Sequence, residues 1–152
     1  MMTEPILDVK NLNVRFIRKD GSFFSAVYNS SFYVNEGEIL AIVGESGSGK
    51  SVTALSLLGL LDAKKVLYKS TNSIVFENKE LTSLTNNEWQ AIRGDKIGMI
   101  FQEPMSSLNP LLKVGEQIAE VIRCHKKVSN KKAMARARYL LRLVGIEMQM
   151  SV

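Results

Sequence analysis

The stretch that decides the fold is Gly44-Glu45-Ser46-Gly47-Ser48-Gly49-Lys50-Ser51, which fits the pattern G-x-x-x-x-G-K-[ST]. Residues 39–43, just before it, form a short apolar run with β-branched members, which predicts a buried strand. After it, apolar residues at helical spacing predict a helix whose inward face carries Val52, Leu55, Leu58 and Gly59. The sequence therefore predicts a strand, a tight loop and a helix in direct succession.

This succession is the setting that the Walker A phosphate loop requires. Glycines at positions 44, 47 and 49 let the backbone wrap with its N–H groups pointing inward, and the following helix directs its positive end at the same anion. In this motif Lys50 reaches the β- and γ-phosphates of a nucleotide, and the Ser51 hydroxyl binds Mg²⁺. The predicted cofactor-binding residues are Gly44, Glu45, Ser46, Gly47, Ser48, Gly49, Lys50, Ser51 and Val52. The alternative, a glycine-rich turn that binds nothing, is disfavoured because the strand and helix signals are also present.

Length and composition narrow the class of protein. The 152 residues suffice for one domain, and a hydrophobic content of 45% is ordinary for a globular chain. The single cysteine, Cys124, excludes an internal disulfide and is typical of a reducing compartment. Residues 1–10 lack the apolar stretch of a signal peptide. The sequence also contains no run of 18 consecutive apolar residues, so we predict no membrane-spanning helix.

The net charge of +5 is unevenly distributed. Eight Lys or Arg residues and no Asp or Glu lie between Arg123 and Arg142. Such a patch attracts nucleic acid or anionic lipid, although a run of this kind is more often the solvated face of a helix.

Hydrophobic alternation predicts antiparallel strands in the first part of the chain. We expect strands at 6–16 and 31–34, an irregular stretch at 61–73, and a short strand at 74–76 followed by a turn at 77–80. A short helix is predicted at 86–93, ended by Gly94, and a further strand at 96–101.

The second part of the chain reads as a loop and two helices. Pro104 and Pro110 interrupt regular structure between residues 102 and 110. Ser129 or Asn130 is expected to cap the last helix, and Gly145 to end it. The apolar faces of the two helices are predicted to be Val114, Ile118, Val121 and Ile122 in the first, and Ala137, Leu140, Leu141 and Val144 in the second.

A resemblance to a known family extends this interpretation. The order of antiparallel strands, Walker A, a strand ending in Gln102 and a mostly helical segment resembles the ATPase domain of ABC transporters. The run Gln102-Glu103-Pro104-Met105-Ser106-Ser107-Leu108-Asn109-Pro110, followed by Val114-Gly115-Glu116-Gln117-Ile118, resembles the ATPases of oligopeptide, dipeptide and nickel importers. The resemblance spans residues 6 to about 146.

The resemblance implies a fold and a set of site residues. The fold class is α/β: a P-loop NTPase core with an antiparallel β region at the N-terminus and a partial helical subdomain. The implied divisions are 1–101 for the strands and Walker A core, 102–113 for the Q-loop and 114–146 for the start of the helical subdomain. Gln102 would sense Mg²⁺ and the γ-phosphate, and Phe16 would stack on adenine, with Phe23, Phe24 and Tyr28 as weaker candidates. Phe16 is equally well explained as a core residue.

The resemblance also implies cofactors, partners and location. The ligands would be ATP and Mg²⁺, and the partners integral membrane permease subunits and a second ATPase subunit, with no nucleic acid. The chain would lie peripherally on the cytoplasmic face of the cell membrane and couple ATP hydrolysis to peptide import, with nickel import as the alternative. A GTPase is excluded because Asn78-Lys79-Glu80 continues with Leu81 rather than with the Asp of a guanine motif.

The chain departs from the family pattern by omission. It contains no Leu-Ser-Gly-Gly-Gln signature, no apolar run ending in Asp-Glu, and no histidine after a late strand. Phosphoryl transfer requires a positioned water and a catalytic base. We therefore expect a fragment that does not hydrolyse ATP alone, or a non-catalytic nucleotide-binding remnant of a shortened gene.

Overall fold

The computed structural model describes residues 4–146, and for residues 105 and 106 it describes the backbone alone. The chain divides into two compact units, Met1–Trp89 and Gln90–Val152, each of which is described by itself.

The first unit is built on an antiparallel sheet. Its strands are β1 (Leu7–Ile17), β2 (Phe23–Val34), β3 (Val66–Tyr68), β4 (Ser73–Phe76) and β5 (Lys79–Glu80). Their order is β2-β1-β4-β5, and β3 also pairs with β1. β1 is thus the central strand, and its predicted bounds of 6–16 are confirmed to within one residue. β2 is longer than the predicted 31–34, and β3 lies in the stretch predicted to be irregular.

The buried residues of β1 form most of the core of this unit. Val9, Leu12 and Val14 are fully buried, together with Leu81. The β4–β5 hairpin closes through Glu77 and Asn78, whose φ angles of 46° and 61° are those of a type I′ turn. This turn leads the chain to Leu81, which completes the core.

A buried asparagine pair ties β1 to the segment before β4. The Asn72 side chain accepts a hydrogen bond from the Asn13 backbone N–H at 3.1 Å and donates one to the Asn13 carbonyl at 2.8 Å. The Asn13 carboxamide oxygen in turn accepts from the Asn29 N–H of β2 at 3.1 Å. Because both asparagines are buried, the Asn72 amide satisfies backbone groups that a neighbouring strand would otherwise have to satisfy.

We expect Asn72→Ala to destabilise the first unit by about 2–4 kcal/mol, since it leaves a buried N–H and a buried C=O without partners. Urea unfolding would measure the loss, with Asn87→Ala, at an exposed position of helix α2 (Asn86–Ile92), as the matched control. The control should change the free energy of unfolding by no more than about 0.5 kcal/mol. Equal stabilities of the two variants would contradict this role of Asn72.

Two predicted strands are wrong. Residues 39–43 form no strand, and Ile39 and Val43 are 95% and 88% exposed. Residues 96–101 form only an isolated bridge between Arg93 and Ile97. Both runs have the composition of buried parallel strands, but a strand exists only where a neighbour supplies ladder hydrogen bonds. No described residue of the sheet pairs with either run.

Helix α2 begins with a capping box. The Thr85 N–H donates to a carboxylate oxygen of Glu88 at 2.9 Å, and the Glu88 N–H donates to the Thr85 hydroxyl at 3.4 Å. The Thr85 backbone N–H first, then the Lys79 ammonium and the Thr85 hydroxyl, lower the pKa of Glu88 to about 2. The expected helix at 86–93 is confirmed, and Gly94 follows it with a φ of 83°.

The second unit is a helical hairpin that follows a short 3-10 helix at Pro104–Ser107. Helix α3 (Val114–His125) and helix α4 (Asn130–Leu143) pack through Ala119, Ala133 and Ala137. The hydroxyl of Ser129 accepts from the Lys132 N–H at 3.4 Å, so Ser129 is the cap of α4.

The helix faces were predicted in part. Ile118, Ile122, Ala137 and Leu141 lie against or within the core, as expected. Val114, Val121 and Val144 are exposed instead, because the helices also come together at the small residues Ala119 and Ala133, which the predicted faces did not include. In the described part of the chain no helix has the length and apolar character needed to span a membrane.

Candidate functional site

The loop at residues 44–49 leads directly into helix α1 (Lys50–Leu57). Gly47 and Gly49 have φ angles of 82° and 89°, a region in which a Cβ is strained. Gly49 is the N-cap of α1, and no side chain caps that end of the helix. The glycines thus reverse the chain into the helix while leaving its N-terminus uncovered.

Gly49 also lies unusually close to the sheet. A Cβ at this position would lie 2.4 Å from the carbonyl oxygen of Ala26 in β2 and 3.4 Å from the side chain of Val27. The loop therefore rests on β2 at a point where only glycine fits. Gly44 is restricted too, because its Cβ would lie 2.5 Å from the Ser48 hydroxyl oxygen.

The Lys50 ammonium lies within the loop. Its Nζ donates to the carbonyl oxygens of Gly44 at 2.6 Å and Glu45 at 2.7 Å, and to the Ser48 hydroxyl at 3.4 Å. Although Lys50 belongs to the first turn of α1, its side chain folds back over the residues that precede the helix. The positive charge of Lys50 is thus held beside the backbone carbonyls of Gly44 and Glu45.

The N–H groups of the first helical turn complete an electropositive surface. Within residues 4–146, the backbone N–H groups of Gly49, Lys50 and Ser51 donate to no group of the protein. Such donors, added to the positive end of the helix dipole, are the chemistry that binds phosphate oxygens. Ser51 is exposed on the same turn, so its hydroxyl is accessible to a cation. The residues present fit a phosphate group with an associated Mg²⁺.

The inward face of α1 was predicted in part. Leu58, at the C-cap, is buried as expected. Within the helix the buried residues are Thr53 and Ser56, whereas the predicted Val52 and Leu55, like Gly59 after it, are only half-buried. The Ser56 hydroxyl donates to the Val52 carbonyl at 2.7 Å, so its burial leaves no unsatisfied donor. Small side chains lie inward here, which apolar periodicity alone does not reveal.

Phe16 lies near the end of β1, opposite Phe24 of β2 and Val66 of β3. It is half-buried, and Phe24 is more exposed. Along β2, Phe24 precedes Val27 by three residues, about 10 Å in an extended strand, and Val27 adjoins Gly49. The Phe16–Phe24 pair is thus separated, along β2, from the point where Gly49 contacts this strand by a distance comparable with the length of a nucleotide.

Tyr28 and Phe23 are weaker candidates for the same role. Both are exposed, and the Lys69 ammonium lies 5.5 Å from the centre of the Tyr28 ring. The Arg18 guanidinium covers Phe24 at 5.6 Å. Of the four candidates, Phe24 and Tyr28 have cations over their rings, and Phe16 differs from Phe23 in being half-buried.

Gln102 is exposed and belongs to the second unit. Its predicted roles, catalysis and contact with Mg²⁺, stay predictions. Glu103 is exposed as well, and His125 lies beside Gly94, where a Cβ would be 3.2 Å from its Nε2 atom. Among the described residues no group of three His, Cys, Asp or Glu side chains is placed to hold a metal ion.

Gln117 is a structural residue that sequence reasoning did not single out. Its carboxamide accepts from the Asn109 N–H at 2.9 Å and donates to the carbonyls of Asn109 at 3.0 Å and Leu112 at 3.1 Å. These bonds hold residues 109–112 against α3, with Leu111 exposed. A polar residue on an amphipathic helix gives no signal that it folds back on the preceding loop.

We expect Gly49→Ala to cost more stability than Gly47→Ala. The Gly47 variant adds only left-handed strain, about 1–2 kcal/mol, because nothing lies near its Cβ. The Gly49 variant adds a clash with the Ala26 backbone, for a total of about 2–5 kcal/mol. Urea unfolding of both variants measures the difference, and equal losses would show that β2 does not constrain the loop.

Comparison with known proteins shows which proteins this chain is similar to. A family model described as ABC transporter matches residues 27–151. The chain is 48% identical over 142 residues to the oligopeptide transport ATP-binding protein AppD of Bacillus subtilis, covering 92% of this chain and 42% of that protein. It is 51% identical over 131 residues to OppD of Haemophilus influenzae, covering 86% and 39% respectively. It is also 47% identical over 147 residues to the dipeptide transport ATP-binding protein DppD of Lactococcus lactis, covering 96% and 41%.

A solved structure of the ADP conformation of an ATP-binding cassette of an ABC transporter aligns with 91% of this chain and 65% of its own, at 19% identity and a TM-score of 0.46. The chain spans about two fifths of the length of the curated relatives that it matches.

Proposed function

Because the chain belongs to the ABC transporter family, we propose that it forms the ATP-binding part of an ATPase that powers peptide import. The single observation that carries the proposal is the glycine loop at 44–49, with Lys50 inside it and uncapped N–H groups at the start of α1. The names of the relatives, which concern oligopeptide and dipeptide transport, favour peptides over nickel as the cargo.

In this proposal the chain's own residues hold the terminal phosphates. The N–H groups of residues 49–51 donate to phosphate oxygens, and the Lys50 ammonium exchanges its bonds to the Gly44 and Glu45 carbonyls for bonds to the β- and γ-phosphates. The Ser51 hydroxyl would hold Mg²⁺, which when bound offsets phosphate charge. Gln102 would contact the same cation and the γ-phosphate, as the family resemblance implies.

The partners and location follow from the same family. We propose integral membrane permease subunits and a second ATPase subunit as partners, at the cytoplasmic face of the membrane. Residues 102–113 would face the permease, and Gln117 fixes the part of this loop that carries Leu111. Hydrolysis by the whole protein would also need a catalytic base, which no residue assigned to the site here supplies.

We expect Lys50→Ala to weaken MgATP binding by roughly 10- to 150-fold, the range for loss of hydrogen bonds to a charged group. Isothermal titration calorimetry with MgATP is the measurement. Lys64→Ala, which removes an exposed lysine outside the loop, is the matched control and should bind as the parent does. If the Lys50 variant kept the parent affinity, the phosphate-loop assignment would fail.

We expect Phe16→Ala to weaken ATP binding by roughly 5- to 100-fold through lost stacking on adenine. Binding of inorganic triphosphate with Mg²⁺, which has no base, should stay unchanged in the same variant. Tyr33→Ala, which removes an exposed aromatic side chain from the other end of β2, is the control and should bind both ligands as the parent does. A Phe16 variant that lost both ligands equally would indicate a core role, and one that lost neither would remove Phe16 from the site.

A further inference from the structure

The outward side of α4 combines positive charge with exposed apolar groups. Its inward side is Ala133, Ala137 and Leu141, which are buried. The residues at spacings of four, three and four on the opposite side form what we call the outer stripe: Lys132, Arg136, Tyr139 and Leu143. All four are exposed, Tyr139 by 50% and Leu143 by 63%.

Further cations border the outer stripe, and no acid accompanies them. Residues 121–146 contain no Asp or Glu. α3 carries Glu116 and Glu120, and within residues 4–146 neither forms an ion pair with a cation of the hairpin. The exposed cations of the hairpin are Arg123, Lys126, Lys127, Lys131, Lys132, Arg136, Arg138 and Arg142. In the described structure no acidic side chain forms an ion pair with this cluster of positive charge.

An aromatic ring lies among these cations. The Arg136 guanidinium carbon is 4.8 Å from the centre of the Tyr139 ring. A single exposed apolar residue is ordinary on a solvated helix face, but here a tyrosine and a leucine lie one turn apart in line with two cations. This combination is typical of helices that lie in the interface of a membrane.

We propose that the outer stripe of α4 is a binding surface for anionic phospholipid headgroups. Lys132 and Arg136 attract the headgroup phosphates, and Tyr139 and Leu143 enter the boundary between headgroups and acyl chains. Clusters of four to eight Lys or Arg residues on a helix are typical of such surfaces. Nucleic acid would satisfy the charge but offers no apolar environment for Leu143. This inference goes beyond nucleotide binding and does not depend on it.

Co-sedimentation with vesicles tests the proposal. The chain should bind vesicles of phosphatidylcholine that contain about one quarter phosphatidylglycerol, and bind pure phosphatidylcholine far less. Binding should fall as salt rises from about 0.05 to 0.5 M, because the Debye length shortens. Binding to both vesicle types alike, or to neither, would overturn the proposal.

Two double variants with the same change in net charge test whether vesicles bind at the outer stripe. Lys132→Glu with Arg136→Glu should reduce binding by roughly 25-fold or more, at about fivefold for each cation removed. Lys19→Glu with Lys64→Glu makes the same net change at exposed positions of the first unit and should reduce binding by less than about threefold. Equal losses would mean that net charge, not the outer stripe, governs binding.

Apolar variants and a competing ligand separate lipid from nucleic acid. Tyr139→Ser with Leu143→Ser should weaken vesicle binding several-fold without a change in charge, while circular dichroism melts confirm that the hairpin still folds. A short DNA or RNA duplex should not displace the vesicles at equal phosphate concentration. A chain that preferred the duplex, or whose serine variants bound vesicles as tightly as the parent, would not be a lipid-binding protein at this face.

Discussion

The contact between Gly49 and the Ala26 carbonyl is the constraint on which the candidate site depends. It fixes the start of α1 against β2, at a distance that excludes any Cβ. The helix that begins there has an uncapped N-terminus, and the Lys50 side chain folds back over the preceding loop. The proposed phosphate site is therefore a property of the backbone position first, and Lys50 would add charge to a geometry that glycine creates.

The sheet in turn depends on polar groups as much as on apolar ones. β1 bends at Asn11, which has a φ of 52°, and its register with β2 shifts between Val9 and Leu12. At such an irregularity backbone groups lose their strand partners. The side chains of Asn13 and Asn72 supply partners here, and Leu12 and Val14, on either side of Asn13, stay buried. Through the bond from the Asn29 N–H to the Asn13 side chain, this pair also ties β1 to β2, the strand that contains Ala26.

The features that the sequence predicts correctly are those that depend on residues close together in the chain. The loop, α1 and α2 were predicted because their signals are local: the spacing of glycines, helical periodicity and a terminating glycine. Ser129 was one of two predicted caps of α4, and its hydroxyl is the one that accepts from the Lys132 N–H. Residues 39–43 were mispredicted because the same apolar run requires a neighbour, and no local pattern supplies one. The Asn13–Asn72 pair spans 59 positions, and the inward placement of Thr53 and Ser56 follows from tertiary packing that no apolar periodicity marks. None of these non-local features leaves a periodic trace in the sequence.

Two groups of exposed apolar side chains in the described part of the chain differ in the state of their backbone. Ile39 and Val43 lie in an extended run whose backbone groups also lack strand partners, so a neighbouring strand would satisfy both needs at once. Leu143 and Tyr139 belong to a helix whose backbone bonds are complete, so only their side chains call for a partner. A pairing strand would gain no backbone hydrogen bonds there, so a partner must match the side chains alone, as an interface of apolar groups with phosphates beside Lys132 and Arg136 would. The state of the backbone thus distinguishes a surface that a strand would complete from one whose partner is selected by side-chain chemistry.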